Sequence, residues 1–509
     1  MKDVNIRTRA LAVLAVAAVL LPACDRADKE SSPSSAAASA TTVAPDATSS
    51  AATTVAAAPT TDAPDATESS ATAPSTDESE ADASTSDVAT TDAATTDATT
   101  EATPGPGDFG SIEALCGPGD ASGATAQGVT DTEIRLGTMA DPTNVIIPGA
   151  GQESFDIGNA FVEWCNEAGG ILGRKLVLTT RDSKLFEVGA RMIEACASDF
   201  MLVGNATPLD EAGVQTRLDC GLAQIPAYDV SALAADAPLQ VVADNTIHQV
   251  SVGHFRALQA AFPKAFSAVS LVSVDGGGLD SFAKRQQDAL TSIGATVVDF
   301  QLAPIAGVDN WRPYAQTAAE HGAKSVITLS PSIDAFVRSM GDVGWEPELM
   351  PLGVQNYNKA TIDLATEGVL PPTYVTTSFW PFEAADQSPA LQQAIELAAA
   401  GGDIAPDFAH LQALSAWILW AQAATACGSE LTGQCVVDHA GAMKGWTAGG
   451  LRAPIDTQVG GGVLSTCFVL LKATPEGFVL DPDVTRPNQD IFNCDAANVV
   501  DAPETYTGG

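Results

Sequence analysis

Residues 128–184 constrain this chain most. Two apolar strand-like runs, 133–138 and 175–180, flank one amphipathic helix. In that helix Ile157, Phe161, Trp164 and Ala168 recur at three- and four-residue spacing, so they share one face. Gly169 and Gly170 end the helix, because glycine accepts the left-handed backbone a C-cap requires. Strand, helix and strand in this order form a crossover unit, and a crossover helix implies a parallel sheet.

The alternation continues. Residues 185–199 read as a helix with Val188, Met192, Ile193 and Cys196 on one side. A short buried strand at 200–204, a helix at 208–220 and a strand at 223–228 complete one doubly wound α/β lobe. A second lobe starts near Val250, with strands at 268–274, 295–301, 324–329, 349–353 and 373–377. Asp309 is placed to cap the helix that runs to His321, offering its carboxylate to the first-turn N–H groups. Then the pattern changes. Segments 391–400 and 408–426 are helical with no strand between, the second carrying Leu411, Leu414, Ile418 and Ala421 on one face. Segments 460–471 and 477–480 read as an antiparallel pair.

The ends of the chain are of another kind. Lys2, Arg7 and Arg9 precede a pure apolar run at 11–21, which is short for a membrane span and suits an export signal. Leu21-Pro22-Ala23-Cys24 resembles a lipoprotein cleavage site, so residues 1–23 read as a signal peptide and Cys24 as the lipidated residue. Within residues 24–107 the stretch from about Glu30 to Gly107 is mostly Ala, Ser, Thr, Asp and Pro with almost no large apolar side chain, too little to offset the entropy of ordering. Residues 24–107 read as a tether, or as an O-glycosylated stalk. The net charge of −39, from 63 acidic and 24 basic residues, argues against nucleic-acid binding and against electrostatic attachment to anionic lipid.

Nine cysteines become eight once Cys24 is modified, an even number for an exported protein. Cys427 with Cys435 brackets a short loop and is the best pair. Cys467 with Cys494 lies on and after the last strands, Cys196 and Cys220 fall on consecutive helices, and Cys116 is left with Cys165. There is no CxxC, no HExxH among the five histidines and no GxSxG elbow, so neither a metal site nor an enzyme is indicated, and no cofactor is expected. Gly276–Gly278 follows a strand and opens a helix but lacks the Lys-Ser/Thr of a phosphate loop; it reads as a place where ligand or backbone approaches closely.

The runs GVTDTEIRLG at 128–137 and NEAGGILGRK at 166–175 resemble the opening of type I extracellular solute-binding proteins, the branched-chain amino-acid-binding-like receptors of ABC importers. The resemblance extends over about 128–495. It implies two doubly wound α/β lobes joined by a three-crossover hinge, with crossings near 245–252, 374–384 and 456–466. Lobe 1 would take 108–250 and 379–460; lobe 2 would take 251–378 and 461–509. It further implies a monomeric receptor, extracytoplasmic and held at the membrane by its lipid, delivering a small polar solute such as an amino acid or amide-like compound to ABC permease subunits. A sensor of the same fold, coupled to a signalling partner, is the alternative.

In open α/β sheets, ligands bind at the carboxyl ends of strands. The loops there offer Asp141; Asn205, Ala206 and Thr207; Tyr228, Asp229 and Ser231; and, across the cleft, Asp275, Ser330, Gln355 and Tyr357. The resemblance assigns the ligand carboxylate to Asn205–Thr207 and Ser231. It places the neutral Gln355 where the family usually has an acid for the ligand ammonium. Asn205, Thr207, Ser231 and Ser332 also suit helix N-caps or turns, and Tyr228, Tyr357 and Trp380 suit packing.

Overall fold

The structure, a computed structural model, describes residues 105–502 apart from 147, 244–245, 277, 305–306, 330–332 and 401–405. The signal peptide, Cys24, nearly all of the tether, Ser330 and Ser332 lie outside the described residues.

The first lobe opens with β1 (Glu133–Ala140), α1 (Gln152–Ala168), β2 (Lys175–Asp182), α2 (Val188–Ser198), β3 (Met201–Val203), α3 (Glu211–Asp219), β4 (Ala223–Ile225) and α4 (Ala232–Ala235). Its strands form one parallel sheet in the order β2-β1-β3-β4. Ile157 and Phe161 of α1 are fully buried against it, and Gly169 and Gly170 take the positive φ that ends the helix. On α2 only part of the expected stripe turns inward. Val188 and Met192 are buried, but Ile193 is 63% exposed, because the inward face continues through Ala195 instead.

The chain leaves this lobe through β5 (Gln249–Ser251). The second lobe holds α5 (Gly253–Ala261), β6 (Val269–Asp275), α6 (Leu279–Ser292), β7 (Val297–Pro304), α7 (Arg312–Glu320), β8 (Ser325–Thr328), α8 (Ile333–Val343), β9 (Met350–Leu352), α9 (Lys359–Thr366) and β10 (Thr373–Thr377). Strands β7, β6 and β8 are parallel, and a bridge from Ser325 to Leu349 joins β8 to the segment entering β9. Asp309 does not cap α7. The Asn310 side chain, one residue nearer the helix, accepts the Arg312 N–H at 3.0 Å.

The chain then returns to the first lobe as α10 (Pro389–Ala400), α11 (Phe408–Cys427) and α12 (Gly433–Ala440). Helix α11 starts in a capping box between Asp407 and His410. It is buried on every side rather than on one face, since α1, α10, α12 and β4 all pack around it. Trp417 lies 5.3 Å from the Phe161 ring and 5.9 Å from Trp420. Among the described residues no helix is long and apolar enough to cross a membrane.

Finally β11 (Cys467–Thr474) and β12 (Gly477–Leu480) add antiparallel strands beside β10. The strand does not begin at 460: Gly460, Gly461 and Gly462 have φ of 60°, 32° and 31°, outside extended backbone. After α13 (Pro482–Thr485), β13 (Asn493–Cys494) pairs with β11, and β14 (Val499–Asp501) pairs with β5. Disulfides join Cys116 to Cys165, Cys196 to Cys220, Cys427 to Cys435 and Cys467 to Cys494, the four pairs ranked from the sequence.

Candidate functional site

Three chain segments pass between the lobes and hold one another. In the first, Thr246 Oγ1 donates to the Gly461 carbonyl of the third at 2.6 Å. Gln249 accepts the Leu464 N–H at 3.3 Å. In the second, Ser378 and Trp380 exchange backbone hydrogen bonds of 2.8 and 3.1 Å with Ala453 and Leu451.

A cavity of about 270 Å³ opens where these segments meet. Its walls come from the turn after β4, from α11, from α6, from the turn after β9, from the end of β10 and from the third crossing. Most of the wall is apolar, with Phe282, Ile327, Leu352, Phe379, Phe408 and Leu419 among it. The polar groups of the wall include Gln286, Gln355, Gln412, Ser415, the Thr376–Ser378 run, His254 and two arginines, Arg285 and Arg452. Both guanidinium groups are buried, at 4% and 2% exposure. Arg285 donates to the Thr246 carbonyl at 3.1 Å and lies 5.5 Å from the Phe282 ring. Desolvation pushes its pKa down to about 10, so it stays charged at neutral pH. Arg452 stacks 4.7 Å from the Phe379 ring. Burial holds the His254 imidazole down at about 4, hence neutral.

Residues 239–477 match the model of the family described as periplasmic binding protein. The fold is that of the type I periplasmic binding proteins. No curated protein sequence matches the chain. Among solved structures, a fatty acid ABC transporter substrate-binding protein from Thermomonospora curvata is 18% identical, with a TM-score of 0.57 over 72% of this chain and 93% of its own. A solute-binding protein of an ABC transporter from R. palustris, in complex with 4-hydroxybenzoate, is 15% identical, with a TM-score of 0.56 over 71% and 97%. A leucine-binding protein from Thermotoga maritima is 13% identical, with a TM-score of 0.55 over 68% and 97%.

In this type I periplasmic-binding fold the residues singled out from the sequence fall into two groups. Gln355 lines the cavity. The first-lobe residues gather instead at the strand ends of the first sheet, outside the cavity wall. Buried Asp141 accepts hydrogen bonds from Ser183 and from the Leu185 N–H. Asn205 and Ala206 are buried and tied into the backbone, with Ala206 N–H donating to the Met139 carbonyl at 2.8 Å; Thr207 is buried beside them. Ser231 caps α4, accepting the Ala234 N–H at 3.1 Å, and its own N–H donates to Asp210. Gln240 Nε2 donates to Asp229 at 2.8 Å. Burial raises the pKa of both Asp210 and Asp229, and repulsion between them adds to the rise at Asp229. Tyr228 sits close enough to Asp141, Asp210 and Glu153 that their charges add to the burial that raises its own pKa.

In the second lobe Asp275 is exposed at the end of β6. Tyr357 is a packing residue: its ring meets Phe478 at 4.8 Å, and its hydroxyl donates to Glu383 and accepts the Phe382 N–H at 2.9 Å. Trp380 packs edge-on against Phe492 at 5.8 Å. One His/Cys group has metal-ligand spacing among the described residues, Cys427, Cys435 and His439, but its two sulfurs are joined and offer no thiolate.

Sequence reasoning missed Arg285, Arg452 and the cavity face of α11. One signal was present for Arg285. It lies three residues after Phe282 and four before Ala289, on the inward stripe of α6, where a lone charge is out of place.

Proposed function

We propose that this chain is a lipid-anchored solute-binding receptor that hands a small solute to an ABC importer by closing its lobes around it. One observation carries the reading: the cavity lies at the meeting of the three crossings and takes walls from both lobes. A solute bound there touches both halves at once, so it favours the closed arrangement over the open one. The transporter-linked binding proteins that share the fold support the same reading. Cys24 carries the lipid, residues 24–107 form the tether, and the lobes divide at 250, 378 and 460. Asn205–Thr207, Tyr228, Asp229 and Ser231 shape the first-lobe lip that closes over the solute, while Gln355 contacts it. The permease reads the closed form.

The test is native mass spectrometry of the purified chain, followed by a thermal-shift screen of amino acids, amides and organic acids. A retained small molecule, or a compound that raises the melting temperature and compacts the protein in small-angle scattering, is expected. A screen in which nothing raises the melting temperature would sink the reading.

A further inference from the structure

We infer that the cavity selects a small apolar carboxylate without an ammonium group, held by Arg285. The inference rests on the receptor reading above and names its ligand class.

The described wall of the cavity differs in composition from the chain as a whole. Acidic residues number 63 against 24 basic ones, yet no described residue of the cavity wall is an aspartate or glutamate, and two arginines are there. Among the described residues no carboxylate lies within ion-pair reach of Arg285, whose hydrogen bond goes to a backbone carbonyl. The downward shift of its pKa has burial alone as its cause. A buried cation without an anion is unfavourable. An incoming carboxylate removes that penalty and takes two parallel hydrogen bonds from the guanidinium fork.

The same wall rejects an ammonium. An α-amino acid would bring a second cation beside Arg285, and no described residue of the wall is a carboxylate that could receive it. His254, held neutral, does not compensate. The neutral Gln355 stands among these residues, and the body of the ligand meets Phe282, Phe379, Phe408 and Leu419. At about 270 Å³ the space is at the small end of ligand pockets, so the ligand is a single ring or a short chain.

Calorimetric titration of the full chain tests this with benzoate and hexanoate, their amides benzamide and hexanamide, and phenylalanine and leucine. At least one carboxylate should bind tenfold or more tightly than its own amide and than either amino acid. Arg285→Gln should erase that preference and Arg285→Lys should keep part of it, with circular dichroism checking the fold of both. An amide or amino acid that binds as well as the carboxylates, or two carboxylates that do not bind, overturns the inference. This comparison needs only the unaltered chain. If amino acids or amides bind while carboxylates fail, the receptor reading survives and this inference alone falls.

Discussion

Gly278, at the head of α6, meets Ser231, at the head of α4, so closely that a Cβ built on the glycine would stand 2.6 Å from the serine Cα. The two residues belong to different lobes, so this contact is the closed lip of the cleft. Gly278 also has a φ of +84°, which an L side chain adopts at a cost of roughly 1–2 kcal/mol. Gly278→Ala therefore holds the lips apart without entering the core of either lobe. Ligand affinity should fall about tenfold, and scattering of the ligand-saturated protein should give a larger radius of gyration. Unchanged affinity and radius would show that the lip does not close against Ser231.

Arg181 and Asp199 form an ion pair through both guanidinium nitrogens, with side chains only 5% and 2% exposed. Removing one partner leaves a buried charge alone, a loss of about 3–5 kcal/mol. Asp199→Ala should lower the free energy of unfolding in urea by that amount, with the affinity of the folded fraction intact. A loss below about 1 kcal/mol would mean that water reaches the pair.

The buried acids set a pH dependence. Burial of Asp210 and Asp229, and at Asp229 also repulsion from Asp210, raises the pKa of both acids in the folded protein above the value of about 4 in an unfolded chain. The folded state therefore holds protons that the unfolded state has released. The stability this contributes is complete below about pH 4 and is lost as pH rises through the two raised values. Melting temperature should decline from pH 5 to pH 8, and Asp229→Asn, which mimics the protonated acid, should flatten the decline. A slope unaltered by that substitution would remove Asp229 from the explanation.

How much of this was legible in the chain depends on how local the signal is. The β1-α1-β2 unit could be read because its period, its glycine stop and its neighbouring strand all lie within residues 128–184, one crossover unit. Cysteine spacing was likewise enough to pair Cys427 with Cys435 across one loop. Where neighbours come from afar, the reading failed. Helix α11 reads as one-sided, but α1 and β4, far from it in sequence, together with the adjacent α12 cover its other faces. Arg285, Phe408 and Arg452 meet in one cavity only because the chain crosses between lobes, and no window of sequence contains two of those crossings. The strand-end loops were found because that rule depends on topology alone. Of their side chains Gln355 lines the cavity, while Ser231 caps α4 and Asp229 is hydrogen-bonded to Gln240 outside the wall.

The Cys116–Cys165 bridge fastens the segment preceding β1 to α1 across 49 residues. A loop of that length places its contribution near about 4 kcal/mol in the chain-entropy account. The double replacement Cys116→Ser/Cys165→Ser should lower the urea midpoint accordingly and leave the ligand preference unchanged. No change in midpoint would show that the segment is secured by packing alone.

Net charge bears on the rate at which an anion arrives. At −39 the surface repels a carboxylate, and salt screens that repulsion. In stopped-flow measurements the association rate of benzoate should rise several-fold between about 10 and 150 mM salt, a change that shortens the Debye length from about 30 to about 8 Å. A rate that falls with salt would locate an attractive patch at the entrance.

The pairing of β14 with β5 has a consequence for biogenesis. Residues 249–251, the thread on which the lobes pivot, find their strand partner only at 499–501. During synthesis the four strands of the first sheet are complete once residue 225 has been made, but β5 is without its partner until residues 499–501 follow. The pairing is therefore a late event in synthesis, and a polypeptide that stops before residue 499 keeps the strands of both lobes while one of the three crossings lacks its strand partner.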